Sequence, residues 1–148
     1  TLASDQSQLY ALRIKLCKQY EFIVLPEVIS KEPLGPVVRR GDDDWYTIVK
    51  WSLFAMLNAE EMGITSTNVD QMAAKPSTPD MAHLLGSEGD FGKDLKLNNK
   101  WAFNIIKQVG NYQEVFDRNV GKDSQLKIAR GQNALWNKGG IQYAPPVR

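Results

Sequence analysis

Asp5 is the residue whose position best suits ligand chemistry, because it lies where an extended segment meets a helix, a place from which side chains can reach a cleft. Asp5 followed three residues later by Gln8 resembles a capping box and predicts a helix starting near Gln6. The simple interpretation is an N-cap. A carboxylate has about four acceptor positions, so it can cap a helix and also accept a hydrogen bond from a ligand ammonium. Both roles stay open for Asp5.

Other groups that resemble chemical motifs are better explained as ordinary structure. The loop Gly86–Asp94 has too many residues between its outer glycines for a phosphate loop, and Asp94 stands where Ser or Thr should bind magnesium. No nucleophile motif accompanies His83, and the carboxylates of Asp42–Asp44 suit the first turn of a helix. We therefore expect no catalytic residue, no metal, no cofactor and no enzyme activity.

Composition narrows the class of protein further. The chain has 148 residues with 43% hydrophobic content, which is enough for a sizeable core, and its net charge of +1 gives no preference for nucleic acid. Its single cysteine excludes an internal disulfide, and one histidine is too few for a Cys/His zinc cluster. No apolar run approaches a membrane span and the first residues lack a signal-peptide pattern, so we expect a soluble chain that is either mature or truncated.

The tryptophans are candidates for a stacking platform, but they stand at helical positions where large aromatic side chains usually fill the core. They are Trp45, Trp51, Trp101 and Trp136. The basic residues are dispersed and form no stripe interleaved with aromatic residues. We therefore expect core tryptophans and no nucleic-acid partner.

Apolar periodicity predicts short strands at the start, followed by several helices. Residues 22–40 combine β-branched runs with Pro26, Pro33 and Pro36, which favours strands joined by tight connections. Helices are predicted from Gln6 with Cys17 on the apolar side, over Trp45–Met62 ended by Gly63, through Met72, around His83, over Trp101–Val109, over Tyr112–Val120, and from Ser124 through Trp136. The few strands make a thin sheet for so many helices. Our hypothesis is that an N-terminal segment missing from this chain completes the sheet.

Four passages of the sequence resemble one receptor family over nearly the whole chain. They are LPEVISKEPLGPVVRRGDDDW (25–45), NAEEMGITSTNVDQM (58–72), NIIKQVGNYQEVFDRNVG (104–121) and LKIARGQNALWNKGGIQYAPPVR (126–148). Read whole, the chain resembles the C-terminal part of the general L-amino-acid-binding receptors of polar amino-acid ABC transporters, a branch of the family 3 solute-binding proteins. This resemblance is long and specific.

The resemblance implies an α/β chain that forms the C-terminal part of a two-lobed, type II periplasmic-binding-protein fold. In that family two lobes joined by crossing strands close over one amino acid, which the receptor delivers to a membrane permease. The implied role is binding of a polar L-amino acid in the periplasm and delivery to an ABC importer permease, the only contact with the membrane. The alternative is a non-transport interaction or sensory module with the same fold.

The resemblance also assigns residues and lobes. Asp5 would bind the ligand α-ammonium, with help from Ser4. The lobe boundaries that it implies are 1–28 for the end of the second, ligand-binding lobe, 29–31 for a hinge strand, and 32–148 for the C-terminal part of the first lobe with a helical extension. Hinge motion would occur at Glu27, Val28, Ile29 and Ser30. Family members are much longer, and their missing part carries the arginine that clamps the ligand carboxylate.

Overall fold

In a computed structural model, residues 1–16, 21–30 and 32–147 are described, and their elements are almost all helical. The α-helices are α1 (Gln6–Leu16), α2 (Asp43–Glu61), α3 (Val69–Ala74), α4 (Pro79–Leu85), α5 (Phe91–Asp94), α6 (Trp101–Val109) and α7 (Tyr112–Asn119), followed by 3-10 turns at Gly131–Asn133 and Trp136–Lys138. The chain divides into two compact units. The first comprises Thr1–Gly35 and Asp117–Ala129, and the second comprises Pro36–Phe116 and Arg130–Arg148.

Helix α2 begins and ends where the sequence predicts. The side chain of Asp42 caps it by accepting a hydrogen bond of 3.1 Å from the backbone N–H of Trp45. Asp43 and Asp44 occupy the first turn, where the helix macrodipole favours negative charge. Beyond its last residue Gly63 adopts a φ of +69°, a left-handed conformation that glycine reaches without steric cost. These local signals confirm the predicted helix over 45–62.

The main core of the second unit lies between α2, α3, α4 and α6. Its fully buried large side chains are aliphatic: Ile64, Val69, Leu84, Leu85 and Ile106. Buried Ala55 and Ala59 contribute small side chains from α2 to the same cluster. Burial of each large aliphatic side chain contributes about 1.5–3 kcal/mol, so this cluster is the main source of stability in the unit.

The prediction that all four tryptophans fill the core is wrong for two of them. Trp101 is buried and Trp51 packs against the main cluster. Trp45 and Trp136 are 52% and 53% exposed, respectively. Trp45 lies in the first turn of α2, and Trp136 lies in a 3-10 turn after the last α-helix.

A polar connection joins the turn after α2 to the turn between α6 and α7. Asn111 and Glu114 form a reciprocal capping box, in which each side chain accepts a hydrogen bond from the backbone N–H of the other. The amide of buried Asn111 also donates to the carbonyl of Ile64 at 2.8 Å. Glu114 accepts hydrogen bonds from the backbone N–H and the hydroxyl of Ser66. Two turns distant in sequence are thereby fixed to each other.

The predicted helix from Ser124 through Trp136 is wrong. After α7 the described chain has no further α-helix, and it forms two 3-10 turns and a single parallel bridge between Leu135 and Gln142. This segment satisfies polar groups of α2: Asn58 donates to the carbonyl of Pro145 at 2.8 Å, and Trp136 Nε1 donates to Glu61 at 3.3 Å. Leu135 and Ala144 pack with Leu57 of α2. These contacts with α2 outweigh local helix propensity.

The described residues contradict the predicted strands over 22–40. Residues 21–30 and 32–40 are extended or turn-like, and none of them is assigned to a strand. A strand is stable only when its backbone groups pair with another strand, and no such partner lies in the described part of the chain. Helix α1 is confirmed over Gln6–Leu16, but none of its residues is buried. The predicted packing of Cys17 falls on 17–20, outside the described residues.

Candidate functional site

Ser4 and Asp5 immediately precede the first turn of α1. Asp5 is half-buried, and its backbone carbonyl accepts a hydrogen bond of 3.0 Å from the N–H of Leu9. The predicted capping partner Gln8 pairs with the neighbouring residue, since the Ser4 hydroxyl donates to Gln8 Oε1 at 2.6 Å. The helix therefore begins where the sequence predicts, and the side chain of Gln8 bonds the Ser4 hydroxyl.

The predicted hinge residues lie in the extended segment of the first unit. Glu27, Val28, Ile29 and Ser30 are all exposed, and the last residue of the predicted hinge strand, Lys31, is outside the described residues. In the described part of the chain no hydrogen bond or ion pair joins these residues to Ser4 or Asp5. The structure thus places the two predicted groups in one unit without bringing them into polar contact.

The motif-like groups that we explained as ordinary structure have structural roles here. Gly86 caps α4 in a left-handed conformation, and a Cβ there would lie 2.0 Å from the carbonyl oxygen of Asn99. The His83 ring packs on Phe91 with 5.3 Å between centroids. Asp42–Asp44 contribute to a shallow polar depression of about 500 Å³ that is also lined by Arg39 and Arg40. Among the described residues no cluster of His, Cys, Asp and Glu could hold a metal ion.

The second unit contains a buried ion pair that the sequence pattern does not predict. The guanidinium of Arg130 contacts both carboxylate oxygens of Glu60, at 3.1 and 3.0 Å, and their side chains are only 18% and 3% exposed. The guanidinium carbon also lies 5.3 Å from the ring centre of Tyr112 and 5.1 Å from that of Phe116. This ion pair holds the C-terminal segment on α2.

Tyr112 is the titratable residue that this environment perturbs. Burial raises the pKa of its hydroxyl, the positive charge of Arg130 lowers it, and the negative charge of Glu60 raises it again. The net direction is upward, which favours the neutral phenol. Tyr112 packs against the Leu57–Leu135–Ala144 cluster, so this perturbation belongs to the packing of the C-terminal segment.

Comparisons with known proteins identify the chain's relatives. It is 80% identical over all 148 residues to YhdW of Escherichia coli K12, which is provisionally named as an amino-acid ABC transporter-binding protein. It is 63% identical over 147 residues to the general L-amino acid-binding periplasmic protein AapJ of Rhizobium johnstonii. The chain is homologous to the amino-acid-binding proteins of ABC transporters. No protein-family model matches it.

A solved structure also belongs to a binding protein of an ABC transporter. An ABC transporter periplasmic binding protein from Brucella ovis, with glutathione bound, superposes with a TM-score of 0.91 at 54% identity over 98% of this chain. The match covers 46% of that chain, and the present chain spans 43% of the length of YhdW and AapJ. The predicted resemblance to part of a longer periplasmic receptor is confirmed. No helix in the described ranges is long and apolar enough to cross a bilayer.

Proposed function

We propose that this chain is part of a periplasmic receptor that binds a polar L-amino acid and delivers it to the permease of an ABC importer. The observation that carries the proposal is the 80% identity to YhdW over the whole chain. A third relative, BztA of Rhodobacter capsulatus, is 48% identical and is named as a glutamate/glutamine/aspartate/asparagine-binding protein. These names favour a ligand with a polar side chain and a receptor that performs no catalysis.

Within this receptor, Asp5 is the proposed contact for the α-ammonium group of the ligand, and Ser4 assists it. A carboxylate at the start of a helix can form charge-assisted hydrogen bonds with an ammonium donor, and Asp5 is half-buried at such a position. The backbone carbonyl of Asp5 is engaged with α1, which fixes the residue relative to the helix. The proposed site is completed by the rest of the receptor, which supplies a cation for the ligand carboxylate.

The finer architecture is also a proposal. We infer an α/β, type II binding-protein fold in which residues 1–28 end the ligand-binding lobe, 29–31 form a hinge strand, and 32–148 belong to the other lobe. Glu27, Val28, Ile29 and Ser30 then take up the backbone rotation as the lobes close. Exposed residues of an extended segment suit this role, because few packing contacts oppose changes in their φ and ψ angles.

Titration calorimetry of the full receptor that contains this chain tests the proposed site. The titrants are L-glutamate, L-glutamine, L-aspartate and L-asparagine, with glutathione added because the Brucella ovis protein was solved with it. We expect Asp5→Asn to weaken binding of the preferred amino acid by at least about tenfold, since it removes a charged acceptor. The matched control is Asp94→Asn, an exposed acid of the second unit, and it should leave the affinity unchanged.

Binding of none of these compounds would overturn the proposed function. If wild type and Asp5→Asn bind with equal affinity, the proposed receptor function stands and the proposed role of Asp5 is wrong. An uptake assay addresses the permease, because deletion of the receptor gene should abolish amino-acid uptake. Normal uptake in a deletion strain would favour the interaction or sensory module instead.

A further inference from the structure

The C-terminal segment of the second unit crosses α2, and we call its residues 130–147 the strap. Buried alanines of α2 belong to the main core of the unit. Leu57 of the same helix belongs to a second apolar cluster, which also contains Leu135 and Ala144 of the strap. The strap therefore covers a face of α2 different from the one that lies in the main core.

Few buried side chains hold the strap in place. Three of its eighteen residues are buried, whereas α6 buries three of nine. The buried strap residues are Leu135, Ala144 and Val147, of which only Val147 belongs to the main core. Segments with few buried apolar contacts open at a lower free energy than the core does. The strap is therefore expected to open before the main core.

Backbone hydrogen bonds of the strap close a loop within it. Trp136 N–H donates to the carbonyl of Gln142 at 2.9 Å, and Gln142 N–H donates to that of Ala134 at 3.1 Å. Ile141 N–H donates to the carbonyl of Gln132 at 2.9 Å. The strap can therefore leave α2 without breaking a backbone hydrogen bond of that helix.

The ion pair of Glu60 with Arg130 lies at the start of the strap and suits reversible opening. In the closed strap the two charges are buried together. Opening places both of them in water, where hydration compensates for most of the lost attraction. If Arg130 is removed, the closed strap instead keeps an unpaired carboxylate buried, which favours the open state.

We propose that the strap opens and closes over α2 as one unit while the main core stays folded, and that the Glu60–Arg130 pair controls how much of the chain is closed. Opening uncovers Leu57 together with Leu53 and Phe54, which pack against the same cluster. This conformational change belongs to the second unit alone and does not depend on the proposed function.

Native-state hydrogen exchange of this chain tests the proposal at the strap amides of Trp136, Ile141 and Gln142. Arg130→Met should accelerate their exchange at least about 100-fold, since it leaves Glu60 buried without its cation. Lys96→Met is the matched control, because it removes an ion pair that is exposed on both sides, and it should accelerate the same amides by no more than about fivefold. Equal acceleration in the two variants would overturn the role of the buried pair.

Ile106→Ala decides whether the strap opens without the main core. This change weakens the core, so amides of α6 that exchange by global unfolding should accelerate at least about 30-fold. The strap amides should accelerate less than about threefold, because the core stays folded when the strap opens. Equal acceleration of strap and α6 amides would show that the strap opens only by global unfolding, and would overturn the proposal.

Wild-type exchange in low urea gives the same decision if Ile106→Ala fails to fold. Opening of the strap exposes less surface than global unfolding does, so exchange of its amides should depend less steeply on urea than exchange of the α6 amides. Equal dependence on urea would overturn the proposal.

A double variant separates the charge of Glu60 from loss of packing by Arg130. Glu60→Leu combined with Arg130→Met leaves no charge buried beneath the strap, and such apolar replacements of a buried pair are often neutral or stabilising. Strap amides should therefore exchange at least about tenfold more slowly in the double variant than in Arg130→Met. Equal exchange in these two variants would contradict control by the ion pair.

Discussion

Ile106 and Ile29 illustrate how differently the two units use the same residue type. Ile106 of α6 is fully buried in the main core of the second unit, whereas Ile29 in the first unit is 82% exposed. The second unit surrounds α2 with helices and with the segment after Arg130, which bury its main apolar cluster and pair the carboxylate of Glu60. The first unit leaves apolar residues of α1 and of the extended residues 21–30 exposed to solvent. The comparison shows that the second unit buries large aliphatic side chains through its own contacts, whereas the described residues of the first unit bury few of theirs.

The largest expected effect comes from breaking the buried ion pair of the second unit. Arg130→Met leaves the carboxylate of Glu60 buried without its cation, which should lower the free energy of unfolding by about 3–5 kcal/mol. Urea unfolding followed by circular dichroism measures this change. Lys96→Met is the matched control, because its pair with Asp44 is exposed on both sides and should contribute no more than about 1 kcal/mol. Equal losses in the two variants would show that burial of the Arg130 pair has no energetic consequence.

A matched pair of isoleucine truncations tests the comparison directly. Ile106→Ala removes a fully buried side chain and leaves a cavity, so the free energy of unfolding should fall by about 2–5 kcal/mol. Ile29→Ala removes an exposed side chain and should change it by less than about 0.5 kcal/mol. Both values come from urea unfolding of the isolated chain. A loss above about 1 kcal/mol in Ile29→Ala would mean that the first unit already buries this side chain.

Breaking the polar connection between the turns of the second unit should have an intermediate effect on its stability. Asn111→Ala removes the side-chain cap of α7 and the hydrogen bond to the carbonyl of Ile64, so the free energy of unfolding should fall by about 1–2 kcal/mol. Thermal melting of Asn111→Ala beside Asn137→Ala, which changes an exposed residue of a 3-10 turn, provides the measurement and its control. Indistinguishable melting temperatures would argue against a stabilising role for the capping box.

The raised pKa of Tyr112 predicts that the stability of the second unit depends slightly on pH. Its pKa is raised in the folded chain, so the folded state holds the phenolic proton more tightly than the unfolded state does. The resulting stabilisation is complete below the unfolded pKa of about 10 and is lost as pH rises through the folded pKa. Tyr112→Phe should therefore flatten the loss of stability in alkaline urea titrations. Tyr143→Phe is the control, and an equal flattening in that variant would contradict the assignment.

Local signals predicted much of the helical unit. The cap at Asp42, the glycines after α2 and α6, and the apolar spacing from Trp101 to Val109 were sufficient to locate α2 and α6. The path after Ser124 was not predictable in this way, because it depends on Arg130 reaching Glu60, seventy residues earlier in the chain. Sequence spacing carries no signal for such a pairing.

The strands over 22–40 were mispredicted for a related reason. Residue types there favour extended structure, which the described residues adopt, but a strand also requires a partner with free backbone groups. In the candidate site, the local pattern located Asp5 at the start of α1, and only the family resemblance suggested its ligand. The hydrogen bond between Ser4 and Gln8 was not predicted, because the capping-box pattern pairs residues three apart and these two are four apart.

Calorimetric titration of the isolated chain beside the full receptor tests the central claim most directly. The claim is that this chain contains part of an amino-acid site whose other part lies elsewhere in the receptor. We predict that the full receptor binds a polar L-amino acid, while the isolated chain shows no binding tighter than about 1 mM, because half a cleft excludes little water. Binding by the isolated chain tighter than about 1 µM would contradict this account, as would a full receptor that binds no amino acid.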